Sequence, residues 1–387
     1  MSSTSPNSSK LDVNLFLTLP VSSAGPGPFE ALKLEERGIH LIQLLLMCAN
    51  HTSSGNLHHA NACLCQILLL ASVSCDPMQR LAARFAYALA SRLSKLWPGL
   101  YKALSHIQRF KSTKGDRACA FFSQAFPYLG FAYAIIAWTL VQAMSEERVI
   151  HIVDLGSGDP KLWVPFMQSF ALMDHGPYLK ITCVNNNKVV LENLGTRLVK
   201  EAESLDMPVQ FNHVNVSLKD LATDMLKIRS GEALAMVSIL SLHVLLADDD
   251  YAHFGFGGSK GNGMKDCKQM AKFLAMVWSM SPKVFVKGLH YYSAIFDSLD
   301  VNYGSVSHEE RLAAKEMFGR EIEHIVACVG MGREERHERY VRWMVRFGRA
   351  RLKTVLLWNE AMIMNDKACM MICWHERPLF AVSAWTC

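Results

Sequence analysis

No C-x-x-C pair occurs anywhere in the 387 residues, and the eleven cysteines are an odd number, so neither a disulfide framework nor a standard zinc site is expected. A reducing compartment is the expected setting. A large excess of either charge is also lacking: the formal net charge is +5, too small for a polycation that coats nucleic acid or an anionic membrane. Apolar runs such as 131–144 and 233–247 fall short of the roughly 20 residues that span a bilayer, and 13–19 is too short and too close to prolines for a secretory core. No membrane span or signal peptide is expected. Catalytic signatures are missing as well. There is no H-E-x-x-H, no G-x-S-x-G and no glycine-rich loop carrying a P-loop lysine, and the fifteen histidines include no pair placed with a carboxylate at ligand spacing.

Half of the residues are apolar, which suffices for a sizeable core. Residues 1–30 are rich in Ser, Pro and Gly and are expected to be a disordered tail, with order beginning near Phe29. From 31 to about 110 the pattern is helical, with apolar spacings of three and four over 39–50, 57–71 and 77–96. Asp76-Pro77 is a helix start and Trp97-Pro98-Gly99 a stop. A further helix is expected over 117–144. After residue 148 short β runs alternate with helices: strands at 149–155, 179–185, 209–214, 233–243 and 283–287, helices at 162–173, 188–204, 266–280 and 291–299. Runs at 369–374 and 379–385 flank His375-Glu376-Arg377-Pro378 and predict a closing antiparallel hairpin. The expected fold class is α/β: a methyltransferase-like, Rossmann-type, mainly parallel sheet over 111–387, with a terminal antiparallel hairpin and an α-helical cap over 31–110.

The first strand runs into Val149–Lys161, VIHIVDLGSGDPK, where Asp154, Gly156 and Gly158 have the look of a crossover that holds S-adenosylmethionine or a dinucleotide. Such a site needs a carboxylate at the end of the second strand to grip a ribose. Here that strand ends Val184-Asn185-Asn186-Asn187, and an amide lacks the charge that makes the strong hydrogen bond to a diol. The glycine turn is therefore expected to be vestigial, with no cofactor; an S-adenosylmethionine-dependent methyltransferase is the alternative.

Leu41, Leu44 and Leu45 form an L-x-x-L-L pattern on a predicted helix, either a partner-docking stripe or part of the helical core. Residues 333–353 hold seven arginines and one lysine against three glutamates. As one amphipathic helix, they would place Arg336, Arg339, Arg342, Arg346 and Arg349 on one face and Tyr340, Trp343, Met344 and Phe347 on the other. The stripe is a candidate contact for phosphates or an acidic partner, or else a solvated face. Cys63-x-Cys65 and Cys369-x3-Cys373 are expected to be buried small hydrophobes.

These blocks, in this order, resemble the plant GRAS family of transcriptional regulators over residues 31–387. Residues 39–96 look like its first leucine-rich region. His151, Ile152, Val153, Asp154 and Leu155 look like its V-H-I-I-D block, and 179–250 like its second leucine-rich region. SPKVFV at 281–286 with YYSAIFDSLD at 291–300 is similar to the PFYRE region, while Arg333-x4-Glu338, Trp343 and Trp374-x10-Trp385 are similar to the terminal SAW block. The resemblance implies a nuclear, non-enzymatic regulator of gibberellin or root-development signalling. Its partners would be DELLA-type and other GRAS proteins and zinc-finger transcription factors, with homo- or heterodimers and with DNA reached directly or through partners. Against the family pattern the chain is shortened after Lys287, around Gly348 and near Met362. That leaves sheet closure open, together with a truncated, interfering form of the regulator as a further alternative.

Overall fold

The computed structural model describes residues 34–72, 76–95, 127–172, 176–246, 267–290, 308–328, 333, 336–338, 340–355, 369–374 and 377–387. The expected tail, the stop at Trp97, the start of the 117–144 helix, the 291–299 helix and Arg339 lie outside them.

Three helices, α1 (Leu34–Ser53), α2 (Leu57–Leu70) and α3 (Pro77–Ser94), pack into a helical layer. Asp76 caps α3 as its spacing predicts, with Oδ1 accepting from the Gln79 amide at 3.0 Å and Pro77 in the first turn. Helix α4 (Pro127–Met144) is apolar nearly all round and packs on its neighbouring helix and on the sheet. The α/β unit then runs β1 (Val149–Leu155), α5 (Pro160–Ala171), β2 (Tyr178–Val184), α6 (Lys188–Ser204), β3 (Val209–Val214), β4 (Ala233–Ile239), α7 (Lys268–Met280) and β5 (Val284–His290). It is completed by α8 (His308–Ala327), α9 (Tyr340–Arg349), β6 (Lys353–Val355), β7 (Met370–Trp374) and β8 (Arg377–Thr386).

The eight strands form one sheet in the order β3-β2-β1-β4-β5-β8-β6, with β7 also on β8. The first five are mutually parallel, and β8 runs antiparallel to β5 from Phe285↔Trp385 to His290↔Phe380. The far edge of β8 is shared: Met370–Trp374 pairs along Arg377–Val382, and Lys353–Val355 pairs along Ala384–Thr386. Strand β5 runs three residues past its expected end at 287, through Gly288 and Leu289 to His290, and pairs with β8 there, so the sheet closes where a shortened connection is expected.

Alternation along the strands divides the core. Ile150, Ile152, Leu179, Ile181 and Val237 face α4, α5 and α6, whereas Val153, Leu155, Val184, Met236 and Phe285 face α7 and α9. Helix α3 belongs to both the cap and the first of these cores: Ala82, Ala86 and Leu89 pack in the cap, while Ala88 joins the sheet cluster. Helix α8 lies against it, joined by the Arg84–Glu316 ion pair at 2.8 Å.

Several expectations need correction. Strand β4 stops at Ile239 instead of residue 243, because Leu240 takes a left-handed φ of 54° and 242–246 turn as a 3-10 segment that buries Leu242, Leu245 and Leu246. The hairpin is tighter than four residues, since Trp374 already pairs with Arg377. Helix α8 was not anticipated at all. Of the cysteines expected to be buried, Cys63 and Cys369 are, but Cys65 and Cys373 are exposed.

Candidate functional site

Strand β1 lies between β2 and β4, so the chain reverses its winding direction there; in open α/β sheets ligands bind in the crevice outside the strand ends at such a point. Asp154, completely buried near the end of β1, has its carboxylate fully engaged by the chain itself. It accepts from the Ser157 amide at 2.9 Å, the Gly158 amide at 3.1 Å, Trp163 Nε1 at 2.8 Å and the Ser157 hydroxyl. Burial pushes the Asp154 carboxyl up, and the hydrogen bonds from Ser157, Trp163 and Gly158 oppose that shift.

The two glycines are required by backbone geometry, with φ of 113° at Gly156 and 55° at Gly158. Neither opens a space for a ligand. A Cβ on Gly158 would sit 2.5 Å from Val190 Cγ1, and one on Gly156 would sit 3.0 Å from Ser241 Cβ. Asn185, at the position of the ribose-gripping acid, donates from Nδ2 to the Gly156 carbonyl at 3.0 Å and accepts the Asn187 amide at 2.8 Å. Ser241 donates to the Leu155 carbonyl and exchanges a 2.8 Å hydrogen bond with Ser238. These residues do not fit an adenosyl ligand: the groups that would hold it are spent on the turn, and Val190 and Ser241 stand where it would approach.

On the opposite face of β1, His151 is fully buried. Its Nδ1 lies 2.9 Å from Glu232 and its Nε2 lies 2.7 Å from the Thr182 hydroxyl. A carboxylate only accepts, so Nδ1 carries the proton and Nε2 accepts from Thr182. Burial, with Lys180 nearby, lowers the His151 pKa to about 4, against the pull of Glu232. Lys180 completes the network through 3.0 Å to Glu232 and 2.7 Å to the Lys227 carbonyl. Burial alone would raise the Glu232 carboxyl, but the Arg229 amide and Lys180 hold it below its usual range. Lys180, Thr182 and Glu232 were missed in the sequence, although a lysine inside the apolar run Y-L-K-I-T-C-V was a readable signal. Ile152, Val153 and Leu155, the rest of the block, are core residues.

The predicted arginine stripe does not survive folding as one face. Helix α9 begins at Tyr340, so Arg333 and Arg336 precede it; Arg333 is buried and donates Nε to the Cys328 carbonyl at 2.9 Å. Arg346 is also buried, in a bidentate pair with Glu338 at 2.7 Å through both Nε and Nη2. Arg342 and Arg349 remain exposed. Burial would raise the Glu338 carboxyl, and Arg346 together with Arg336 and Arg342 outweighs it and holds the group low. Beside this pair Lys287 is buried with no hydrogen-bond partner for Nζ, which lies over the Trp343 ring. Burial drives the Lys287 pKa well below the usual lysine value. Trp343 and Trp385 both pack tilted against Phe347, at 6.2 and 4.8 Å between centroids, and both are buried, so these two family-block tryptophans are core. Trp374 lies on β7, paired with Arg377.

Of the two readings of the leucine pattern, burial favours the core: Leu41 and Leu44 are buried in the cap core and Leu45 packs partly against it, whereas the exposed apolar positions of α1 are Ile39, Ile42, Leu46 and Met47. Among the described residues no cluster of His, Cys, Asp and Glu could hold a metal ion, and no helix is long and apolar enough to cross a membrane.

The sheet order and the self-filled turn define an α/β protein of methyltransferase-like topology, carrying a helical layer tied to the sheet through α3 and α8. The sequence model of the GRAS domain family matches residues 41–288 and 284–386, and the chain belongs to that family, whose members are plant transcriptional regulators. It is 34% identical to Scarecrow-like protein 3 of Arabidopsis thaliana over 96% of this chain and 94% of the relative. It is 29% identical to DELLA protein RGL1 of Arabidopsis thaliana, over 92% of this chain and 71% of the relative. A crystal structure of SCL7 from Oryza sativa superposes with a TM-score of 0.70 at 23% identity, covering 89% of this chain and 99% of that one. The resemblance read from the ordered blocks is thus shown, as is the fold.

Proposed function

We propose that the chain is a nuclear transcriptional co-regulator that acts through protein contacts, not as an enzyme, with DNA reached weakly or through partners. The observation that supports this reading is the crossover turn, where Asp154 and Asn185 spend their hydrogen bonds on the turn itself and Val190 packs against Gly158. The similarity to Scarecrow-like protein 3 and to DELLA proteins supports a role in gibberellin or root-development signalling. It also supports DELLA-type and other GRAS proteins, in homo- or heterodimers, as partners beside zinc-finger transcription factors. Ile42, Leu46 and Met47 on α1, with Leu68 and Leu69 on α2, supply exposed apolar contact area on the cap.

The test is twofold. Pull-downs from plant nuclear extract with DELLA-type and zinc-finger baits should recover the protein, and tethering it to a reporter promoter should change transcription. Failure of both, under conditions where a full-length relative succeeds, overturns the proposal. Calorimetry with S-adenosylmethionine should be silent; heat that disappears in Asp154→Ala would restore the methyltransferase reading.

A further inference from the structure

The end of α3 meets the end of α8 across an amine and a sulfur that lie 233 positions apart in the chain. Lys95, the residue that closes α3, donates from Nζ to the Ala327 carbonyl at 2.7 Å and to Cys328 Sγ at 3.5 Å. His324, in the last turn of α8, makes a side-chain hydrogen bond to the same sulfur. Two further contacts fix the joint: Arg92 Nη1 donates to the Val326 carbonyl at 3.2 Å, and Arg333 Nε donates to the Cys328 carbonyl at 2.9 Å. Burial would raise the Cys328 thiol, but His324 and the charge of Lys95 outweigh it and hold the thiol below its ordinary value. Elsewhere burial wins, pushing Cys48 up to about 11 and raising Cys63 and Cys183 as well. Those three are buried, whereas Cys328 is half-buried, and thiolate character with partial exposure is what makes a cysteine reactive.

We propose that Cys328 and Lys95 are a modification site, joined by hydrogen peroxide into a thiol-reversible sulfenamide that ties the end of α3 to the end of α8. In the first step the Cys328 thiolate attacks peroxide, the O–O bond breaks and sulfur becomes a sulfenic acid, while the departing hydroxide takes a proton from the Lys95 ammonium and leaves as water. Sulfenic acids condense with thiols and with backbone nitrogen; here the nitrogen within reach is Lys95. Its amine, freed by that proton transfer, attacks the sulfur. An S–N bond forms, the S–O bond breaks, and one amine proton leaves with the hydroxyl as a second water. Sulfur has lost two electrons and peroxide has gained them. Two thiols reopen the bridge, returning the Cys328 thiol and the Lys95 amine and leaving as one disulfide. Because α3 packs in both the cap and the sheet core, the bridge would pin one layer to the other. The inference goes beyond the co-regulator reading and stands or falls without it.

The experiment treats the reduced full chain with hydrogen peroxide, digests it with trypsin and weighs the peptides. Peptide 321–333 should appear joined through Cys328 to peptide 93–102, in which trypsin has not cut after Lys95. The joined mass should lie about 2 Da below the sum of the two, for two hydrogens lost. Peptide 93–102 holds no cysteine, so the join is not a disulfide, and dithiothreitol should separate it. Lys95→Arg keeps a cation beside the sulfur but offers no primary amine; it should lose the join, and dimedone should then label Cys328 as sulfenic acid more heavily than in the parent. Cys328→Ser should lose both the join and that label, and circular dichroism should show both variants folded. A parent whose Cys328 stays reduced, gains oxygen instead, or takes dimedone as readily as the Lys95→Arg protein overturns the proposal. The parent digest decides the matter even where a variant fails to fold.

Discussion

Asp154 accepts from Trp163 Nε1 and from the Ser157 and Gly158 amides, so truncating it orphans buried donors instead of freeing a ligand site. Asp154→Ala should cost about 2–4 kcal/mol in urea unfolding; a loss near zero would mean that the turn does not depend on it. Gly158→Ala should also destabilise, by about 1–3 kcal/mol, since it meets both a left-handed φ and Val190. His151 offers a pH test. Its folded pKa of about 4 lies below the ordinary 6.5, so its contribution is present above pH 6.5 and is lost as pH falls through 4. The loss should approach about 3 kcal/mol, and His151→Gln should remove it, so the unfolding free energies of the two proteins should converge toward pH 4. Parallel curves would refute the assignment, in which Lys180 and Glu232 are the charged groups facing the ring. At this scale the sequence displayed Asp154, the two glycines and the missing acid. It could not display Val190, Glu232 or Ser241, which reach the turn and the histidine from elsewhere in the chain.

Between elements, helix α6 matches its predicted range from end to end because Asn187 accepts from the Val189 and Val190 amides and the apolar stripe Leu191, Leu194 and Leu198 has helical spacing. The basic stripe failed for an equally local reason. Periodicity assumed a helix continuous from Arg333, but Glu338 lies before the helix start and turns back onto Arg346, two turns ahead. Thermal denaturation separates the two roles. Arg346→Glu should cost roughly 3–5 kcal/mol, because it sets a second carboxylate against buried Glu338 and removes the bidentate guanidinium. Arg342→Glu, at an exposed position whose guanidinium lies 3.9 Å from Glu338, should cost no more than about 1 kcal/mol. Equal effects would restore the stripe. In the cap, Leu41→Ala or Leu44→Ala should each cost about 2–5 kcal/mol, a penalty that a solvent-facing docking leucine would not carry.

For the whole molecule, α3 contributes to both cap and sheet clusters, and α8 fastens it through Lys95 to the Ala327 carbonyl at 2.7 Å and Arg92 to the Val326 carbonyl at 3.2 Å. Cap and core should therefore melt together: far-ultraviolet circular dichroism and the near-ultraviolet signal of buried Trp163, Trp343 and Trp385 should share one midpoint. An earlier far-ultraviolet loss would show the cap to be independent. The alternation of strands and helices made the sheet legible from sequence, and the two family matches overlap at 284–288, beside the expected shortening after Lys287. What sequence could not tell was that β5 continues to His290 and finds its antiparallel neighbour in β8. That neighbour has a consequence in time. Strands β5, β6 and β7 all precede β8 in the chain, and each pairs with it. During synthesis all three wait on β8, so a ribosome that stalls short of residue 377 presents chaperones with β6 and β7 unpaired and with the edge of β5 opposite β4 open.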